Sequence, residues 1–119
     1  LARDDAQSSL VVADDLYRLA KARASGNELC LATLAQARAH LALGSAEHVD
    51  AAQCALDECD EAIASTGAIT FAPQAMEVRW GLARARGDQP DADSLRQRAV
   101  DEYRKVGAIG HAERLEAAG

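Results

Sequence analysis

Apolar residues recur along this chain at helical spacing, and the stripes they form are broken by glycine. In residues 1–25, Leu10, Ala13, Tyr17, Ala20 and Ala24 share one face of a helix or kinked pair, with Asp14, Asp15, Arg18 and Lys21 off it. Ser25-Gly26-Asn27 ends that pattern, and Asn27 is the expected N-cap of the next helix. A second helix is predicted from about Glu28 to Leu43. Cys30, Leu34, Ala37 and Leu41 form one face, widened by Leu31, Ala35 and Ala42, so that it should be covered on two sides. Gly44 stops it, and Ser45 can cap a third helix over about Ala46 to Ser65, with His48 at the capping-box position. Val49, Ala52, Leu56, Cys59 and Ile63 are its apolar stripe. Asp50, Asp57, Glu58, Asp60 and Glu61 mark an outer acidic face.

A fourth helix is expected from near Pro73, which suits a first turn, to Gly87. It carries two apolar rows, Ala75, Val78, Leu82 and Ala85, and Met76, Trp80 and Ala83. Asp88 to Asp91 reads as a turn around Pro90. A fifth helix follows to Val106, with Ala92, Leu95, Ala99, Tyr103 and Val106 inward, and a short last helix from Gly110 to Ala118 closes the array.

These stripes superpose. Ala52, Ala55, Cys59, Ile63 and Thr66 lie 40 residues before Ala92, Leu95, Ala99, Tyr103 and Val106, and Gly67-Ala68-Ile69 lies 40 before an identical triplet at Gly107. Gly44 aligns with Gly87, and Ala13, Tyr17 and Ala20 keep the same register as Cys59, Ile63 and Thr66. Two helices per period near 40 predict an all-α chain of about five to six helices, an α-solenoid of stacked hairpins. One hairpin cannot bury its own apolar face, so neighbours must stack. The chain then divides into a partial repeat at 1–26, repeats at 27–69 and 70–109, and a capping helix at 110–119.

The run Ala99-x-x-x-Tyr103-x-x-Val106, with Ala13-x-x-x-Tyr17-x-x-Ala20, resembles the second-helix consensus of tetratricopeptide repeats. The closing stretch from Tyr103 to Leu115, YRKVGAIGHAERL, is similar to the C-terminal end of the tetratricopeptide-like region of large bacterial signalling proteins. These are ATPase-coupled adenylate cyclases and LuxR-type transcriptional activators. The repeat departs from that family in its length, about 40 residues against 34, and around Trp80 and Gly81. The resemblance implies a cytoplasmic, non-enzymatic regulatory module that contacts a protein partner or neighbouring domains of a longer chain.

Composition narrows the function classes. Aromatics are 3% of residues, so the core must be Ala, Leu and Val, which suits close-packed helices. Residues 1–69 carry 5 Lys/Arg and 11 Asp/Glu, whereas 70–119 carry 8 of each, so the net charge of −6 sits in the first part. An acidic chain without a basic stripe does not fit direct nucleic-acid binding or an anionic membrane surface. No apolar run approaches the ~20 residues of a membrane span, and no signal peptide is visible. The start at Leu1 reads as the edge of an excised piece and the ending AAG as a natural tail.

Catalytic and metal chemistry find no motif. His48, Cys54 and Cys59 lack zinc-ligand spacing. Cys54 and Cys59 diverge by roughly 140° on a helix, which predicts a core thiol at Cys59 and a more exposed one at Cys54. The acidic face at Asp57 to Glu61 is expected to be solvated, like Asp14-Asp15, since no pocket separates the pKa values of a catalytic pair. His111 has no nucleophile beside it and should pack or cap the closing helix. There is no glycine-rich phosphate loop and no recognition helix. No cofactor is implied. The remaining candidate is a groove lined by the first helices of the hairpins. Gln36 and Arg79 hold matching positions there, with His40 and Arg86 nearby. These four are the candidate partner-binding residues, with ordinary surface positions as the alternative. A second possibility is a structural or homodimerising segment. A short array with an open N-terminal face would self-associate through it, and a charge at Leu10 or Tyr17 would break the contact.

Overall fold

The computed structural model describes residues 3–118. Leu1 and Gly119, the outer ends of the expected partial repeat and closing helix, lie outside the described residues. The chain is all-α. Helices α1 (Arg3–Arg23), α2 (Gly26–Leu43), α3 (Ala46–Thr66), α4 (Ala72–Ala85), α5 (Gln89–Lys105) and α6 (Ile109–Ala118) follow one another, with one turn of 3-10 helix at Ile69–Phe71 and no strand among the described residues. No helix there is long and apolar enough to cross a membrane.

Local chemistry sets the boundaries. Ser25, Ser45 and Asp88 each sit just before a helix, where their side-chain oxygens accept from the backbone N–H of Glu28, His48 and Asp91. Ser25 therefore takes the capping role expected of Asn27, which is already helical. The reason lies one residue earlier. Ala24 turns the chain in the left-handed region at φ 51°, so the link between α1 and α2 is shorter than a glycine stop at Gly26 would give. The other helix ends from α2 to α5 use Gly44, Gly67, Gly87 and Gly107 for the same turn, at φ between 71° and 79°. Pro90 lies in the first turn of α5 rather than in a preceding loop, because proline needs no N–H partner there.

The helices pack in chain order, α1 on α2, α2 on α3, α4 on α5 and α5 on α6, while α4 also leans on α2 and α3. The main core joins α2, α3 and α4 through Cys30, Leu34, Ala37, Val49, Leu56, Cys59, Val78 and Leu82. Full burial of a leucine such as Leu34 or Leu56 contributes about 1.5–3 kcal/mol. Two smaller clusters hold α5 and α6 to α4, with Met76 and Trp80 packed against both. At Gly26 an added methyl would run into the Thr66 side chain at the end of α3.

Three apolar expectations are corrected. On α2 the second covered side is Ala32, Thr33 and Ala39, not Leu31, Ala35 and Ala42, because small residues let the flanking helices approach. Ala24, Ala85 and Val106 are exposed, each lying at or beyond the last turn of its helix. The third correction concerns α1. It buries Ala6, Ala13 and Ala20, at 0–1% exposure, and leaves Val12 at 60%, Leu16 at 37% and Leu19 at 50%. Leu10 and Tyr17 are half-buried on the inner side, so they are not the open face.

Candidate functional site

A groove runs between α3 and α5 with α4 as its floor. Its two depressions, about 370 and 430 Å³, meet at Arg79 and Leu95. The first holds Gln53, Arg86, Asp88 and Asp91 around Leu82 and Ala83. The second holds Asp60 and Arg98 around Ile63, Ala75 and Met76. Apolar patches thus alternate with charges of both signs.

The wall along α3 is set by the helical spacing of Asp50, Gln53, Asp57 and Asp60, which keeps these side chains beside antiparallel α4. Arg79 donates from Nη2 to Asp57 Oδ1 at 3.0 Å and to Asp60 Oδ2 at 2.6 Å, and from Nε to Asp60 at 3.2 Å. Arg86, two turns on, donates to Gln53 Oε1 at 2.6 Å and pairs with Asp50 at 3.5 Å. Gln53 also donates to Asp57 at 3.1 Å. The Arg79 hydrogen bond holds the Asp57 carboxyl below its ordinary range, despite a weaker opposing effect of desolvation. Burial disfavours the charge on Arg79, but its two carboxylates outweigh that and raise its pKa. The acidic face of α3 stays largely exposed, as expected, and its Asp50, Asp57 and Asp60 also form an ion-pair seam with the arginines of α4.

The structure separates the four candidate residues into two pairs. Arg79 and Arg86 share the groove. Gln36 and His40 lie on α2, outside its lining. Gln36 donates to Asp14 Oδ1 on α1 at 2.9 Å. This contact and the Arg79–Asp57 contact both span 22 residues, and their members are offset by 43. The same helix-to-preceding-helix pair thus recurs in one register. The Nδ1 atoms of His40 and His48 lie 2.8 Å apart, so one ring donates to the other. Burial, helped by His48 and opposed by Asp14, lowers the His40 pKa below its ordinary 6.5.

Sequence reasoning missed the α5 side of the groove, Leu95, Arg98 and Asp91. The missed signal was Leu95 with Arg98, an apolar and a basic residue one turn apart on the helix next to α4. Elsewhere, His111 stacks on Tyr103 with ring centroids 4.9 Å apart and accepts from Arg114 at 3.2 Å, the packing role expected of it. Tyr103 and Arg114 both donate to Glu77, at 2.7 and 2.9 Å. Cys59 is buried and Cys54 exposed. Burial pushes the Cys59 thiol up to about 11, which removes it from thiolate chemistry. No protein-family model matches this chain, and neither curated proteins nor solved structures give a significant match.

Proposed function

We propose that this chain is a non-enzymatic interaction module, a tetratricopeptide-like array whose α3–α4–α5 groove takes a segment of a protein partner. The groove carries this reading. It is long, open, mixed in charge and apolar in patches, which is how a helical array meets a peptide rather than how an enzyme encloses a substrate. The order of helix contacts and the repeated interhelix pair support the stacked-hairpin description. On the resemblance of its closing stretch, Tyr103 to Leu115, the module would belong to a bacterial, cytoplasmic signalling or transcription-regulating protein.

The mechanism follows from the seam. A partner carboxylate that draws Arg86 from Asp50 weakens one tie between α3 and α4. A partner that leaves the seam intact does not. Binding therefore favours one packing of α4 and α5 against α3 over another, and a domain attached to the array would sense the difference. Selection from a displayed random-peptide library tests this. Peptides combining acidic and apolar residues are expected, with NMR shifts clustering on Arg86, Leu95 and Arg98. The paired variant Arg86→Glu/Arg98→Glu should lose them. Selected peptides that bind this variant equally well, or shift residues elsewhere, would sink the reading.

A further inference from the structure

We infer that a second copy of this chain docks on the outer face of α1, with the two α1 helices antiparallel across a twofold axis. The starting observation is the inverted burial of α1, whose alanines are packed while Val12, Leu16 and Leu19 face solvent. At about 100° per residue, Asp5, Ser9, Val12, Leu16, Leu19 and Arg23 fall within one arc of about 80° on the helix. Leu31 of α2 is also half exposed, and Val12 and Leu16 line a depression of about 360 Å³ together with Ala35 of α2.

The order of residues along this stripe selects the occupant. It is acidic at the N-terminal end, apolar in the middle and basic at the C-terminal end. A twofold axis level with Asp14 places Val12 opposite Leu16 of the second copy, Ser9 opposite Leu19 and Asp5 opposite Arg23. The stripe is thus complementary to its own reverse, the condition for an isologous contact. A parallel pairing would set Asp4 and Asp5 against their equivalents instead. Asp5 has no ion pair among the described residues, and Arg23, which holds Glu28 at 3.1 Å, keeps a 62% exposed side chain. This face shares no lining residue with the α3–α5 groove, so pairing leaves the groove open.

Light scattering and sedimentation of the 119-residue chain across a concentration series test the pairing. A concentration-dependent dimer is expected. Leu16→Asp should raise its Kd at least about 100-fold, since two carboxylates are buried by symmetry, with helical content by circular dichroism unchanged. Asp5→Lys and Arg23→Glu should each raise Kd about tenfold, because each turns two attractions into two repulsions. An equimolar mixture of these two variants should recover wild-type affinity, as each then supplies the charge the other lacks. A strict monomer up to about 1 mM, or a dimer indifferent to Leu16→Asp, would overturn the second copy as occupant. A mixture no tighter than its components would overturn the antiparallel register.

Discussion

At one end of the molecule α1 packs through Ala6, Ala13 and Ala20 and shows Val11, Val12, Leu16 and Leu19 to solvent. At the other, α6 packs through Ala112 and Leu115, both fully buried against Ala99, Val100 and Tyr103 of α5. The polar contacts follow suit. The far end is tied by Tyr103 and Arg114 to Glu77, by His111 on Tyr103, and by Arg104 to Glu116. The near end has Tyr17 and Lys21 on Glu58, and Gln36 on Asp14. The difference teaches that hydrophobic residues are buried where a neighbour exists to cover them. At the far end α5 covers Leu115, whereas no described element covers Val12, Leu16 and Leu19.

The sharpest way to break that comparison is to truncate a leucine at each end. Leu115→Ala removes a fully buried side chain from a small cluster and should cost about 2–5 kcal/mol. Leu16→Ala, measured on dilute monomer, should change stability by no more than about 0.5 kcal/mol. Urea titration followed by circular dichroism reads both. Similar losses at the two positions would mean that Leu16 is covered within one copy, and the contrast would fail.

Two tyrosines sharpen the comparison next. Tyr17 donates to Glu58 and Tyr103 to Glu77, each at 2.7 Å. Their surroundings differ: Tyr103 is buried, and desolvation together with the Glu77 bond pushes its pKa well up. Removing a buried donor to a charged acceptor costs more than removing one near solvent. Tyr103→Phe should cost about 1–2 kcal/mol and Tyr17→Phe below about 0.5 kcal/mol. Acid tests the same tie. Burial opposes ionisation of Glu77, but the bonds from Arg114 and Tyr103 prevail and hold its pKa below the ordinary 4.5. Its stabilisation is complete above pH 4.5 and is lost as pH falls through the folded-state value. Wild type should therefore exceed Glu77→Gln in stability at neutral pH, with the two thermal-melting curves converging in acid. Parallel curves would remove Glu77 from the closure of the far end.

Much of the architecture was legible because it rests on local rules. Helix count, glycine stops, the cap at Ser45, Pro73 in a first turn and the stripe Val49 to Cys59 follow from spacing and turn chemistry, which do not need the tertiary structure. The site was less legible. Arg79 and Arg86 were recognisable as first-helix polar residues, yet nothing on the acidic face of α3 marked Asp57 and Asp60 as partners of Arg79, and Gln53 was not singled out. Only the antiparallel approach of α4 to α3 turns that face into a seam. The α1 face was misread for a related reason. A stripe of Leu10, Tyr17 and alanines and a stripe of Val12, Leu16 and Leu19 both satisfy helical periodicity. What decides between them is how closely α2 can approach, and alanine permits the closer contact. Ala24 hid as well, since an alanine gives no sign that it will take a left-handed turn.

That alanine provides the last and smallest test. The near end closes α1 with Ala24 at φ 51°, whereas the far end closes α5 with Gly107 at φ 79°. A side chain in the left-handed region costs roughly 1–2 kcal/mol, partly offset by the roughly 0.5–1 kcal/mol of extra chain entropy that glycine loses on folding. Ala24→Gly should therefore stabilise the protein by about 0.5–1 kcal/mol. Gly107→Ala, where an added methyl meets nothing within 4 Å, should destabilise it by a similar amount through backbone strain alone. Thermal melting of the two variants and their combination gives the signs, and the double variant should fall close to wild type because the sites are far apart in sequence and share no cluster. If Ala24→Gly destabilises, then the φ of the α1 terminus carries no strain, and the backbone turn drops out of the comparison between the two ends.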